Sequence, residues 1–217
     1  MPPSVVISSR GEDRVRNGHP WIYRADVVDV HADGGEIVQV IGPRRRTVGY
    51  ALFSDRSQIP IRMLTRGEVV PDLTLFRTRL ENAVRFRASL DLDATAYRIV
   101  HAEADLLPSL IVDKYDDYLV VQTLSQGMHR LLPSITTMLV ELIAPAGILA
   151  RNDPKVRVLE GLEQTVEVLH GDVPESVVVR EGPIEYSVDL RKGQKTGLFL
   201  DQRDNRRMIA RHAAGAS

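Results

Sequence analysis

The 217-residue chain contains no cysteine. That excludes disulfides, thiolate metal sites and a cysteine nucleophile within these residues. Aromatic residues are scarce, at 5%, with a single tryptophan. Lysine is scarcer still: only Lys114, Lys155, Lys192 and Lys195 occur, so the other 24 of the 28 basic residues are arginine. Long apolar runs are missing as well. The longest, around Leu139 to Ala146, contains Glu141 and Pro145, too short and too interrupted to span a bilayer. The N-terminus, Met1-Pro-Pro-Ser4, lacks the basic-then-apolar pattern of a signal peptide. These absences lead to the expectation of a cytoplasmic protein with no membrane partner.

What remains is ordinary for a soluble globular chain, with 43% apolar and 26% charged residues. The net charge of −1 is unevenly distributed. Residues 1–98 carry 15 Lys and Arg against 12 Asp and Glu, residues 99–188 carry 6 against 14, and residues 189–217 carry 7 against 3. Basic ends around an acidic middle suit an anionic partner. Arginine suits bidentate phosphate contact and base stacking, although GC-rich codon usage yields the same bias.

Residues 4–66 read as short strands broken by turns. Val5-Val6-Ile7 begins one, Gly35–Gly42 alternates apolar and polar residues, and Thr47–Phe53 and Gln58–Leu64 follow closely. Such spacing suggests a small barrel. Gly11 to Gly18 gives one or two helical turns. Pro71-Asp72 opens a helix running to about Leu90, with Leu73, Phe76, Leu80, Val84 and Arg87 on one face. Strands follow at Tyr97, at Ser109–Tyr115 and at Tyr118–Leu124, the last two joined as a hairpin by Asp116-Asp117. Leu131, Leu132, Ile135, Met138, Leu139 and Leu142 keep helical spacing up to Pro145. Strands at 147–151, 165–169, 176–181 and 184–189 complete a strand-strand-helix-strand-strand α+β unit.

Several residue groups could carry function. His19 and Trp21 sit together in His19-Pro-Trp-Ile-Tyr23, which either anchors the barrel or offers rings for stacking RNA bases. Arg44, Arg45 and Arg46 lie between two strands, as a solvated turn or a phosphate contact. Arg77 and Arg85 decorate the first long helix and join the candidate RNA-binding residues. Glu103, Asp105, Asp113, Asp116 and Asp117 read as a solvated acidic face, since their spacing fits no calcium loop. The six histidines show no metal-ligand spacing, so no metal site is expected. The densest motif is Lys195-Thr-Gly-Leu-Phe-Leu-Asp-Gln-Arg-Asp-Asn-Arg206. It follows a strand and leads into a helix, whose first turn offers free backbone N–H groups to an anion.

Those motifs, in this order, resemble a known family. They are Gly18–Tyr23, Gly49–Ser54 with Ser57-Gln-Ile59, Tyr97-Arg-Ile-Val with Asp105 and Leu107-Pro108, Leu110–Tyr115, Arg151-Asn-Asp153 with Val156-Arg157, and above all Gly193–Arg206. The family is that of PUA-domain-containing class I S-adenosylmethionine (SAM)-dependent methyltransferases that make 5-methylcytosine in large-subunit ribosomal RNA. The resemblance implies a mixed fold: a PUA-like RNA-binding β-barrel over 1–70, a central α+β domain over 71–188, and the start of a Rossmann-like methyltransferase domain over 189–217. It implies SAM as cofactor and ribosomal RNA as partner, with a homodimer left open. Lys195, Thr196, Gly197, Phe199, Asp201, Gln202 and Arg203 are then expected beside the cofactor. Catalytic residues are expected outside this chain, because the family's glycine-rich loop, Asp-Pro-Pro segment and catalytic cysteine would lie beyond residue 217. The chain alone is expected to be inactive. A non-catalytic RNA-binding module, or a methyltransferase of the same architecture acting on another base, stays open. One departure concerns 102–109, where the family is glycine-rich. Here Ala102, Leu106 and Ser109 stand in, and the loop is expected to differ because these residues resist left-handed turns.

Overall fold

The computed structural model describes residues 2–213. Short extended runs punctuated by turns generate the first sheet: β1 (Ser4–Ile7), α1 (Ser9–Arg16), β2 (Trp21–Ile22), β3 (Val27–His31), β4 (Ile37–Ile41), β5 (Thr47–Phe53) and β6 (Ile61–Arg66). Ser8 caps α1 by accepting a hydrogen bond from the Gly11 N–H. The six strands run in the order β2-β6-β5-β4-β1-β3, with β1 parallel to β4 and the other pairs antiparallel. The expected barrel is therefore a six-stranded sheet whose end strands, β2 and β3, are not bonded to each other. Its core is Val5, Ile7, Val15, Ile22, Val38, Val40, Ala51, Phe53, Ile61 and Met63.

Strand alternation gives this sheet a second apolar face. Leu52 and Leu64, next to Ala51 and Met63, join a different core shared with the central region. That core is built on β7 (Ala96–His101), β8 (Leu110–Tyr115), β9 (Tyr118–Thr123), β10 (Gly147–Asn152) and β11 (Thr165–Gly171), ordered β11-β10-β9-β8-β7. Two helices, α2 (Leu73–Ala88) and α3 (Gln126–Ile143), cover one face. Asp72 caps α2 and Ser125 caps α3 through their side chains. Phe76, Leu80 and Ala83 form the buried stripe of α2, whereas Leu73 is 51% exposed and lies off it. A short helix, α4 (Val156–Leu159), joins β10 to β11. Among the described residues, no helix is long and apolar enough to cross a membrane.

The last two expected strands do not extend this sheet. The segments β12 (Ser176–Glu181) and β13 (Ile184–Asp189) form their own two-stranded sheet. It packs Val177, Val179 and Val188 against Ala96, Tyr115, Val120 and Leu149, on the sheet face opposite the helices. A turn and a single helical turn then lead into α5 (Arg203–Ala213).

The first sheet and the central region are fastened by polar contacts. Arg62 on β6 donates to Glu160 after α4 at 2.9 Å, both nearly buried. Trp21 Nε1–H donates to Glu103 at 2.9 Å. Arg79 on α2 donates to the backbone carbonyls of Leu64 and Leu106. Gln126 bonds both the backbone and the side chain of Asp55.

The 102–109 loop takes left-handed turns at the three positions where the resemblance leads one to expect glycine. Ala102, Leu106 and Ser109 adopt φ of 45°, 58° and 61°. The loop thus builds left-handed turns, which glycine favours, from residues that resist them.

Candidate functional site

The Lys195–Arg206 segment is moored from beneath. Thr196 is 1% exposed. Its hydroxyl donates to Asp113 Oδ2 at 2.6 Å and pairs with the Tyr115 hydroxyl at 2.9 Å. The Tyr115 oxygen also accepts from the Leu198 N–H at 3.1 Å. Arg98 holds Asp113 through two bonds of 2.8 and 3.0 Å. Burial, only partly offset by the bond to Thr196, pushes the Tyr115 phenol up to about 12. Gly197 passes so close that a Cβ there would lie 2.9 Å from Val188 Cγ1 and 3.2 Å from the Tyr115 ring, and its φ is 152°. Thr196 and Gly197 are thus the root of the segment, with their polar capacity used inside the fold.

Above this root the segment turns outward. Lys195 takes a left-handed conformation, φ 57°. Its ammonium donates to Asp201 at 2.9 Å and sits 4.5 Å from the centre of the Phe199 ring. The Lys195 bond holds the Asp201 carboxyl below the usual carboxylate range. Lys195, Leu200, Asp201 and Arg203 form one wall of a cavity of about 310 Å³, and Leu90, Leu92, Tyr97, Arg98 and His101 contribute to the other side. The Arg203 Nε–H is buried without a hydrogen-bond partner among the described residues, with Asp204 Oδ1 3.8 Å away. Gln202 is exposed, accepts from Asn205 Nδ2 at 2.7 Å and does not line the cavity. Arg206 grips Glu181 through two bonds, fixing the start of α5 to β12.

A second cavity, of about 430 Å³, lies alongside and shares Arg98 and Lys195 with the first. Ile111, Gln122, Arg151, Asp153 and Pro154 complete it. Their spacing along the chain does not mark these five as one site. Ile111 faces Gln122 across β8 and β9, and Gln122 Nε2 donates to the Arg151 carbonyl on β10. Only the sheet register gathers them.

The candidate RNA-binding residues divide into separate places. Arg44, Arg45 and Arg46 are exposed at the β4–β5 turn, with Arg45 at φ 55°. His19 packs edge-on against Trp21, ring centres 5.9 Å apart, and its Nδ1 accepts from the Trp21 N–H at 3.1 Å. With the indole N–H bonded to Glu103, Trp21 acts as a half-buried anchor between the two sheets. His19 borders an open basin with Arg10, Arg14 and Asn17. Arg77 pairs with Glu141 on α3, which raises its pKa further, and Arg85 is exposed. No hydrogen bond or ion pair among the described residues links Arg77 or Arg85 to the β4–β5 turn.

The expected solvated acidic face is corrected for three of its five members. Asp113 is wholly buried between Arg98 and Thr196, Asp105 is bonded to Arg87 and the His101 N–H, and Glu103 accepts from Trp21. Asp116 and Asp117 do form the β8–β9 turn. Among the described residues, no group of three or more His, Asp or Glu side chains could hold a metal ion.

With this geometry in view, the class of the first sheet is defined: residues 5–66 match the PUA-like domain family. The chain as a whole is 36% identical over 224 residues to the ribosomal RNA large subunit methyltransferase I of Aliivibrio fischeri, an alignment covering 100% of this chain and 56% of that protein. It is also 36% identical over 211 residues to the protein of the same name from Vibrio cholerae, covering 95% of this chain and 53% of the relative. The chain thus spans about half the length of the curated relatives it matches. Among solved structures, the fold matches a Streptococcus mutans protein assigned as a SAM-dependent methyltransferase, with a TM-score of 0.80 at 20% identity, over 95% of this chain and 53% of that one. A second match, to a structure assigned as a methyltransferase and complexed with SAH, has a TM-score of 0.81 at 20% identity and the same coverage.

Proposed function

We propose that this chain belongs to the large-subunit ribosomal RNA methyltransferases, uses SAM as methyl donor, and serves methylation of cytosine at carbon 5. The observation that carries this reading is the similarity running through the whole chain, from the PUA-like sheet to the Lys195–Arg206 segment, at 36% identity. Within the reading, the PUA-like sheet docks RNA through Arg44, Arg45 and Arg46, and the basin beside His19 extends that surface. Arg77 and Arg85 on α2 serve RNA contact from a separate face.

The residues around the 310 Å³ cavity fit one wall of a SAM site. The Arg203 Nε–H, not hydrogen-bonded among the described residues, is a free donor, Lys195 and Asp201 offer opposite charges for an amino-acid moiety, and Leu90, Leu92 and Leu200 offer apolar surface. When bound, SAM supplies an electrophilic methyl group. Thr196 and Gly197 keep Lys195 in place, and Phe199 supports its ammonium. Cytosine-5 methylation of this kind uses a cysteine that adds to the ring. This chain has none, so the 217 residues on their own bind RNA without methylating it.

Filter binding of large-subunit rRNA by the 217-residue chain, run across a salt series, tests both halves of the reading. Affinity is expected to fall steeply with salt, as phosphate contacts require. A flat salt response refutes RNA docking. Transfer of tritiated methyl groups from SAM to the RNA by this chain alone refutes its non-catalytic role.

A further inference from the structure

The 430 Å³ cavity has a floor unlike the rest of its sheet face. Farther along the same face, Ala96, Tyr115, Val120 and Leu149 are apolar and covered by the β12–β13 hairpin. At the cavity the pattern changes to Arg98, Gln122 and Arg151, with Ile111 beside them. Burying polar side chains on a sheet is costly unless each finds a partner. Arg151, 4% exposed, meets that demand with bonds to Asp153, the Leu190 carbonyl and the Gly193 carbonyl. Gln122, 8% exposed, meets it through its amide nitrogen and leaves its oxygen open to the cavity. Its Nε2 donates to the Arg151 carbonyl at 2.9 Å, and a carbonyl can only accept, so the amide orientation is determined. The Gln122 Oε1 is left without a partner among the described residues, at the lining of the cavity.

We propose that this cavity is a nucleobase site for single-stranded RNA, selective for a base bearing an exocyclic amine. Gln122 Oε1 accepts from the amine, the ring rests on Ile111, and Arg98 and Lys195 offer donors to the ring's acceptor atoms. Cytosine presents this pattern, while uracil presents a carbonyl oxygen where cytosine has its amine and is rejected by the lone Gln122 acceptor. A volume of about 430 Å³ lies within the range of small-ligand sites. The position is apt for group transfer, because the cavity adjoins the proposed SAM wall and shares Arg98 and Lys195 with it. The inference rests on the RNA methyltransferase reading and adds to it which residue reads the base.

The test is fluorescence anisotropy with labelled oligo(C) and oligo(U) at one fixed salt concentration, using the 217-residue chain. One hydrogen bond gained against one acceptor left facing a carbonyl gives an expected preference for oligo(C) of roughly 5- to 10-fold. Gln122→Leu removes the acceptor and should abolish the preference, weakening oligo(C) and relieving oligo(U) until the two affinities meet. Gln122→Glu keeps an acceptor at the same place and should retain it, which a merely structural role of the Gln122–Arg151 bond would not allow. Circular dichroism of each variant checks that it is folded. Salt-sensitive binding of both oligomers with no base preference overturns this proposal and leaves the RNA reading standing. No binding of either oligomer, or of rRNA, overturns both.

Discussion

Placing glycine at Leu106 should make the fold more stable, even though it removes a large apolar side chain. Leu106 sits at φ 58°, ψ 22°, and is 61% exposed. A left-handed conformation costs a non-glycine residue about 1–2 kcal/mol. Glycine escapes that cost but gives back about 0.5–1 kcal/mol through its freer unfolded chain. Little burial is lost at a site this open, and the Arg79 bond to the Leu106 backbone carbonyl survives. The net gain is about 0.5–1 kcal/mol. Ala102→Gly, at φ 45°, should gain a similar amount. Ser109→Gly is the internal control. Ser109 has a similar φ of 61°, but it is 5% exposed and its hydroxyl bonds the Pro108 carbonyl and the Ser125 hydroxyl that caps α3. Losing those bonds costs about 1 kcal/mol, which cancels the relief of strain. Urea denaturation followed by circular dichroism reads the differences directly. In a chain of this size, the Ala102→Gly/Leu106→Gly pair should raise Tm by roughly 2–8 °C. The reasoning fails if Leu106→Gly is no more stable than the wild type, or if Ser109→Gly gains as much as Leu106→Gly.

Two further outcomes follow from buried groups. The Tyr115 phenol, pushed up to about 12 from an ordinary 10.0, stays protonated in the native state where the unfolded chain has released its proton. Its contribution is therefore full below pH 10 and is lost as pH rises toward 12, by about 2–3 kcal/mol; the stability difference between wild type and Tyr115→Phe should narrow over that window, and a constant difference would count against it. Arg62→Met strands the Glu160 carboxylate, which is 1% exposed, and should cost about 3–5 kcal/mol in urea denaturation, whereas adding Glu160→Leu should recover much of the loss. Additive costs in that double-mutant cycle would show that the pair is not coupled.

Much of the architecture can be read from local pattern. α3 is legible because its apolar residues recur at helical spacing until Pro145, and the β8–β9 hairpin because Asp116-Asp117 interrupts two apolar runs. Two-residue β2 has no periodicity to detect, and β3 is exposed along most of its length. That β12 and β13 leave the main sheet depends on which face they cover, a tertiary choice without a local signature. The site divides in the same way. Lys195, Asp201 and Arg203 announce themselves by density within one segment. Gln122, Arg151 and Tyr97 do not, since strand register alone brings them to the cavities. The acidic residues mislead for a related reason: the partners of Asp113 are Arg98 across β7 and β8 and Thr196, 83 positions away.

The ties between the PUA-like sheet and the central region set a length as well as a stability. Arg62 to Glu160, Trp21 to Glu103, and Arg79 to Leu64 tie the sheet that carries the exposed arginines of the β4–β5 turn to the region that lines the cavities beside Lys195. An RNA gripped at both places must bridge a span that the protein holds constant. On the proposed reading the molecule would work as a caliper: a strand whose fold puts the wrong number of nucleotides between grip and pocket would be turned away before any base is read.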